Sequence, residues 1–256
     1  MFGLVKQTYE RQASVEGLFN LSEIKLSNKK IALMNFATSQ LRKDQLQPKI
    51  NILGLLLGCL YDNQKFDYFP ILKGEIPTKA QLVEYDSVIM PGSSYSAMDS
   101  VPEIDLFVSE LKQALDENKD LKVLSICFGH QAISRMYQAS IVRKNRFEGQ
   151  ENVSFVPEVL EKYEFLSGLK KFNGKKLMMP EHHQDYVETV PQGFELLANS
   201  ESCKVEAMIS NCGKILCFQF HPEYLSDYAI AFENRLRSSQ PEYKISFDLS
   251  VSEDKR

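Results

Sequence analysis

Apolar positions in this chain come in short dense runs set off by polar turns. The first is Ile31-Ala32-Leu33-Met34-Asn35-Phe36, entered from Ser27-Asn28-Lys29-Lys30 and left through Thr38-Ser39-Gln40. A run of that length between turn-forming residues predicts a strand. The leucine-dense stretch from Ile50 to Leu60 predicts a buried helix, with Gly54 and Gly58 marking close packing. Phe66 to Leu72 predicts a short strand, and Tyr85 to Met90 a buried strand that stops at Pro91-Gly92-Ser93-Ser94. From Pro102 to Asn118 the apolar residues Ile104, Phe107, Val108, Leu111 and Leu115 recur at spacings of three and four, the signature of an amphipathic helix. Lys122 to Ile126 is the next strand, and Gln131 to Tyr137 is compatible with a helix.

Periodicity weakens between Val153 and Ala207, where short strands are expected at Val153 to Val156, Lys176 to Met179 and Phe194 to Ala198. A last strand pair, Val205 to Ile209 and Ile215 to Phe220, flanks the hairpin turn Ser210-Asn211-Cys212-Gly213-Lys214. A helix from about Ser226 to Leu236 and a surface tail complete the reading. Strands alternating with helices predict an α/β fold, a mostly parallel central sheet with helices on both faces. The expected organisation is an N-terminal extension at 1–29, a single domain at 30–237 and a C-terminal tail at 238–256. In such a sheet the site lies at the carboxyl ends of the strands, where Gly92, Cys127 and His221 all fall.

Composition narrows the function classes. With 256 residues, 43% hydrophobic and 25% charged, the chain has the make-up of one ordinary domain with a substantial core. A net charge of -4, with basic residues scattered among acidic ones, argues against a nucleic-acid partner. No apolar run approaches the roughly 20 residues that span a bilayer. The five cysteines, at 59, 127, 203, 212 and 217, are odd in number and suggest no disulfide framework. Cys212 and Cys217 lack a second Cys/His pair at zinc spacing, so no metal is expected. Residues 1–29 lack the apolar segment of a secretory signal, and the expected compartment is the cytoplasm.

The chemistry points to a cysteine. Cys127 follows the apolar run of its strand directly and precedes Phe128-Gly129-His130-Gln131, a strand-turn-helix that places a nucleophile in a sharp bend. The bend exposes the thiol and aims a helix N-terminus at it. A later apolar run ends in Phe220-His221-Pro222-Glu223 and delivers an imidazole and a carboxylate at a second strand end. An imidazole generates the attacking thiolate, and a carboxylate holds the ring in one tautomer. Cys127, His221 and Glu223 are therefore the candidate catalytic set. His130 reads as a structural residue, and Cys59, Cys203, Cys212 and Cys217 as core or loop thiols.

Four segments together, Pro91-Gly92-Ser93-Ser94, Ile126-Cys127-Phe128-Gly129-His130-Gln131, His182-His183-Gln184-Asp185 and Phe220-His221-Pro222-Glu223, resemble the class I glutamine amidotransferase (flavodoxin-like) fold. The resemblance runs from about Ile31 to Leu236. It is nearest to stand-alone members related to the glutaminase domain of GMP synthase, a group that includes γ-glutamyl peptidases. It implies a cofactor-free hydrolase that cleaves a γ-glutamyl amide, in a γ-glutamyl peptide of the glutathione type or in glutamine, through a γ-glutamyl thioester. On that footing Cys127 is the nucleophile, His221 the general base and then acid, and Glu223 the orienting carboxylate. The amides of Phe128 and of Gly92 or Ser93 are the oxyanion donors, Gln131 is a substrate contact, and His183 and Asp185 line the pocket. Gly92-Ser93 stands where the family has a Gly-Gly turn, and Gln138-Ala139-Ser140 where it has a glycine pair. Two alternatives remain at this level: a glutaminase subunit that passes ammonia to a synthase partner, and a non-catalytic subunit of a larger assembly.

Overall fold

The computed structural model of the protein describes residues 29–36 and 66–223. The expected N-terminal extension, the leucine-rich helix at 50–60, the helix at 226–236 and the C-terminal tail lie outside these residues. Nine strands form one sheet: β1 Ile31–Asn35, β2 Phe66–Pro70, β3 Ser87–Met90, β4 Lys122–Ile126, β5 Ile141–Phe155, β6 Lys176–Val187, β7 Phe194–Asn199, β8 Ala207–Ser210 and β9 Ile215–Phe218. The helices are α1 Lys79–Leu82, α2 Pro102–Glu117, α3 Phe128–Met136 and α4 Pro157–Lys162, with 3₁₀ segments at Ile71–Lys73 and Glu164–Phe172.

The strand order is β2-β1-β3-β4-β9-β8-β7-β5-β6. From β2 to β9 every pairing is parallel. From β9 to β6 every pairing is antiparallel. The α/β class expected from the sequence holds, but the sheet as a whole is mixed, half parallel and half antiparallel. The difference lies in β5 and β6. Only their ends near Val153 and Lys176 were legible as strands, whereas the two form a long antiparallel pair of 15 and 12 residues. β5 carries Arg143, Lys144, Arg146, Glu148, Gln150, Glu151 and Asn152 with no apolar alternation, and its pairing register shifts at Glu148 and Gln150. Such a strand is fixed by its partner rather than by its own pattern.

Parallel strands between two helical layers are buried on both faces. β1 shows it, with all five residues buried. On β9, Ile215 and Cys217 join the cluster under α2 and α3, while Phe218 joins the one under α4 and the Glu164–Phe172 segment. Alternate side chains thus feed two cores on opposite faces, and helices cover both. In the first core Phe36 packs on Phe107 and Phe128 at ring-centre distances of 5.7 and 5.2 Å. α2 starts with Pro102 in its first turn beside Glu103 and Asp105, which suit a helix N-terminus. The β8–β9 turn is the expected one, with Gly213 at φ +74°.

Candidate active site

Cys127 is the single residue between the end of β4 and the start of α3. The helix begins three residues earlier than its apolar pattern indicated, directly after the thiol. Cys127 has φ 53° and ψ -105°, in the left-handed half of backbone space, where a side-chain-bearing residue is strained. Its surroundings hold it there. The Cys127 amide donates to the Phe218 carbonyl at 2.7 Å, and its own carbonyl accepts from Gln131 N at 3.1 Å, the first bond of α3. Gly129 lets the helix approach β3: a Cβ there would lie 2.3 Å from the Met90 carbonyl oxygen. The Cys127 side chain is nearly enclosed, with Sγ 3.7 Å from the carbonyl of His182.

His221 stands just past the end of β9, buried, with its amide donating to the Pro180 carbonyl at 2.9 Å. Its Nδ1 bonds the Glu223 carboxylate at 2.7 Å. Burial alone would push the imidazole down, but the neighbouring charges of Glu223 and Cys127 outweigh it and raise its pKa to about 10. The ring is thus an imidazolium near neutral pH. Gly92 completes this group: a Cβ there would lie 3.0 Å from His221 Cε1 and 3.8 Å from Cys127 Sγ. Ser93 turns its hydroxyl away, donating to the Phe36 carbonyl at 2.7 Å and accepting from Tyr95 N at 3.2 Å, which braces the turn. The Phe128 amide is the first of α3 and has no intrahelical acceptor, while its ring is locked in the core.

Gln131, His183 and Asp185 form a second, buried group. Gln131 Nε2 donates to the Asp185 carbonyl at 2.7 Å and to Gln219 Oε1 at 3.1 Å, so its amide hydrogens tie α3 to β6 and to the end of β9. His183 Nδ1 donates to the Asp185 carbonyl at 3.0 Å, and its Nε2 bonds the Glu181 carboxylate. Asp185 is held bidentately by Arg143, Nε to Oδ1 at 2.6 Å and a terminal nitrogen to Oδ2 at 3.0 Å. The structure therefore brings Cys127, His221, Glu223 and Gly92 around one point. β6 reaches that point through the backbone of Pro180 and His182.

Sequence reasoning missed Glu181, Arg143, Pro180 and Glu206. Recognising Glu181, His183 and Asp185 as every second residue of one strand would have placed them on a common face. Burial, then the charge of His183, pushes the His130 imidazole down to about 3, so this fully enclosed ring is neutral and serves as a packing residue. Among the described residues, Glu181, His183 and Glu206 bring donor atoms within 4.8 Å of one another. His183 Nε2 bonds Glu181 directly within this group. A cavity of about 410 Å³ between α2 and α3, lined by Ala97, Ile104, Ala132 and Arg135, does not include Cys127 or His221. Among the described residues no helix is long and apolar enough to cross a membrane.

The family model for class I glutamine amidotransferases matches residues 62–229. The chain is 33% identical over 181 residues to γ-glutamyl peptidase 4 of Arabidopsis thaliana, covering 69% of this chain and 68% of the peptidase. It is 35% identical over 144 residues to one of the subunits of the glutamine-hydrolyzing GMP synthase of Sulfolobus acidocaldarius, covering 56% of this chain and 70% of that relative. A glutamine amidotransferase from Thermotoga maritima superposes with a TM-score of 0.61 at 18% identity, over 83% of this chain and 86% of that one, which speaks for the fold. On the strength of the family match and these relatives, the chain belongs to the class I glutamine amidotransferase family.

Proposed function

We propose that the protein is a cysteine hydrolase that cleaves a γ-glutamyl amide. The observation that carries this reading is His221, bonded through Nδ1 to Glu223 and set beside Cys127 around Gly92. An imidazolium beside a sulfur favours the thiolate form of a cysteine. The sulfur attacks the γ-carbonyl carbon, and the carbonyl π electrons move onto oxygen, where the amides of Phe128 and of Gly92 or Ser93 receive the charge. As the intermediate collapses the C–N bond breaks, and the leaving amine takes its proton from His221. Water then enters, gives a proton to the now neutral His221, and attacks the thioester. The C–S bond breaks with its electrons returning to sulfur, the γ-carboxylic acid leaves and gives its proton to solvent, and Cys127 and His221 are back in their starting state. Glu223 holds Nδ1 throughout. Residues 30–237 form the catalytic unit in this reading, and a reducing compartment such as the cytoplasm keeps Cys127 the free thiol it is here.

For the substrate we favour a γ-glutamyl peptide of the glutathione type, since the likeness to the peptidase spans more of the chain than the likeness to the synthase relative. The second reading, a glutaminase subunit working with a synthase partner, draws on the synthase relative. Purified protein and Cys127→Ala are incubated separately with glutathione and with glutamine, and glutamate, cysteinylglycine and ammonia are measured. Cysteinylglycine release that depends on Cys127 is the expected result. Cys127-dependent ammonia alone would support the glutaminase reading, and no Cys127-dependent product from either substrate would sink both in favour of a non-catalytic subunit.

A further inference from the structure

Glu206 is wholly buried, one residue ahead of β8, and takes no part in the chemistry above. A buried carboxyl is costly unless something satisfies it. Its backbone is clamped in the middle of the sheet: Glu206 N donates to the Ala198 carbonyl at 2.9 Å, and its carbonyl accepts from Gln219 N at 2.7 Å. The side chain accepts from Ser200 Oγ at 2.6 Å, its Oε2 is buried away from any conventional donor, and it brings a carboxyl oxygen within 4.8 Å of Glu181, which bonds His183. A carbonyl only accepts, so His183 Nδ1 donates to Asp185, and its Nε2 bonds the Glu181 carboxyl. Two carboxylates this close cannot both ionise in a buried site, so one keeps its proton and donates it to the other.

The segment this network grips touches the site directly. Within three consecutive residues of β6, the Pro180 carbonyl holds the His221 amide, Glu181 joins the network, and the His182 carbonyl meets Cys127 Sγ. We propose that Glu206 is a positioning residue: it shares one proton with Glu181, and through that bond the centre of the sheet fixes β6 across Cys127 and His221. Burial, followed by the Glu181 charge, holds the Glu206 carboxyl well above the usual carboxylate range. The other groups facing this cluster are Cys203, whose thiol is also pushed up by burial, Lys144 of β5 beside it, and neutral His130 beyond His183.

The inference rests on Cys127 and His221 forming the reactive pair, and its test uses no substrate. Iodoacetamide labelling of Cys127 is followed by mass spectrometry in wild type, Glu206→Gln and Glu206→Leu, with exposed Cys212 as internal control. Gln replaces the shared proton with an amide hydrogen, so Glu206→Gln keeps the Cys127 rate within about twofold, while Glu206→Leu lowers it about tenfold or more with Cys212 unaffected. Because the folded protein holds a proton on Glu206 that the unfolded chain releases above the usual carboxylate range, wild-type stability falls with rising pH relative to Glu206→Gln. The Tm margin of Glu206→Gln over wild type therefore grows between pH 5 and pH 8. A Gln variant that labels as slowly as Leu, a margin that does not grow, a folded Leu variant with wild-type labelling, or one equivalent of metal in the purified protein would each overturn the proposal. If Glu206→Leu does not fold, the Gln arms decide alone. Failure to cleave glutathione or glutamine, with these results intact, would strike the substrate reading and leave the positioning role standing.

Discussion

Gly92 and His221 meet across a space that only a hydrogen fills, for a Cβ on Gly92 would stand 3.0 Å from the Cε1 of the imidazole. The nearest Cys127 atoms would be 3.5 and 3.8 Å away, an ordinary contact, so the ring is what must yield. Gly92→Ala is expected to shift His221 by a few tenths of an ångström and lower turnover about tenfold, since small misplacements of reacting groups are costly in rate. Tm should barely change. Steady-state kinetics beside a thermal melt checks this, and an unaltered rate would mean that the ring position tolerates the push.

The pairing of His221 with Glu223 sets a pH dependence. The folded-state pKa of about 10 lies above the unfolded 6.5, so the imidazolium contributes stability that is fully present below about pH 6.5 and lost as pH rises through about 10. Glu223→Gln removes the charge that offsets burial. Its Tm should lie below wild type at pH 6, and the gap should narrow as pH approaches 10. Thermal melts across that range decide it, and a constant gap would show that Glu223 does not stabilise the charged ring.

Gly129 is a packing contact on which the helix after Cys127 rests. An added Cβ would meet the backbone of Met90, with its carbonyl oxygen at 2.3 Å and its carbonyl carbon at 3.0 Å. Backbone cannot swing aside as a side-chain tip does, so Gly129→Ala should cost about 3 kcal/mol or more, at the upper end of overpacking penalties. Denaturant unfolding measures it directly.

α3 ends in a left-handed cap built on a residue that resists it. Gln138 has φ +64°; its amide bonds Arg135 O, and that of Ala139 bonds Ser134 O, both at 2.9 Å. This is the Schellman pattern, whose left-handed position is usually glycine. Gln138→Gly relieves ~1–2 kcal/mol of left-handed strain against ~0.5–1 kcal/mol of added chain entropy, for a net gain of about 0.5–1 kcal/mol. A thermal melt should show a rise of a few degrees, and a fall would mean that the glutamine side chain contributes more than its backbone costs.

The parallel half of the fold was legible because each strand there is a short apolar run punctuated by Gly, Pro or Asn. Cys127 and His221 were legible as candidates for the same reason, each marking the end of such a run. β5 and most of β6 were not, because polar residues on both faces of β5 leave no period to detect and the ladder between the strands supplies the order. The same gap hid the common face of Glu181, His183 and Asp185. Glu206, a lone acid inside Val205-Glu206-Ala207-Met208, gave no sign of its partners, which lie on another strand and in a turn. Gln138 gave no sign of its left-handed turn either, because such a position is usually marked by glycine.

Pro180 brings these features together in a way that bears on how the molecule behaves among its own copies. Within the described sheet β6 is an outermost strand, the kind of border onto which a foreign strand can add. Proline has no amide hydrogen to offer a newcomer, and its carbonyl is already taken by His221. At that residue the described border has no amide hydrogen to offer an added strand, and the carbonyl that would accept from one is the contact that seats the imidazole.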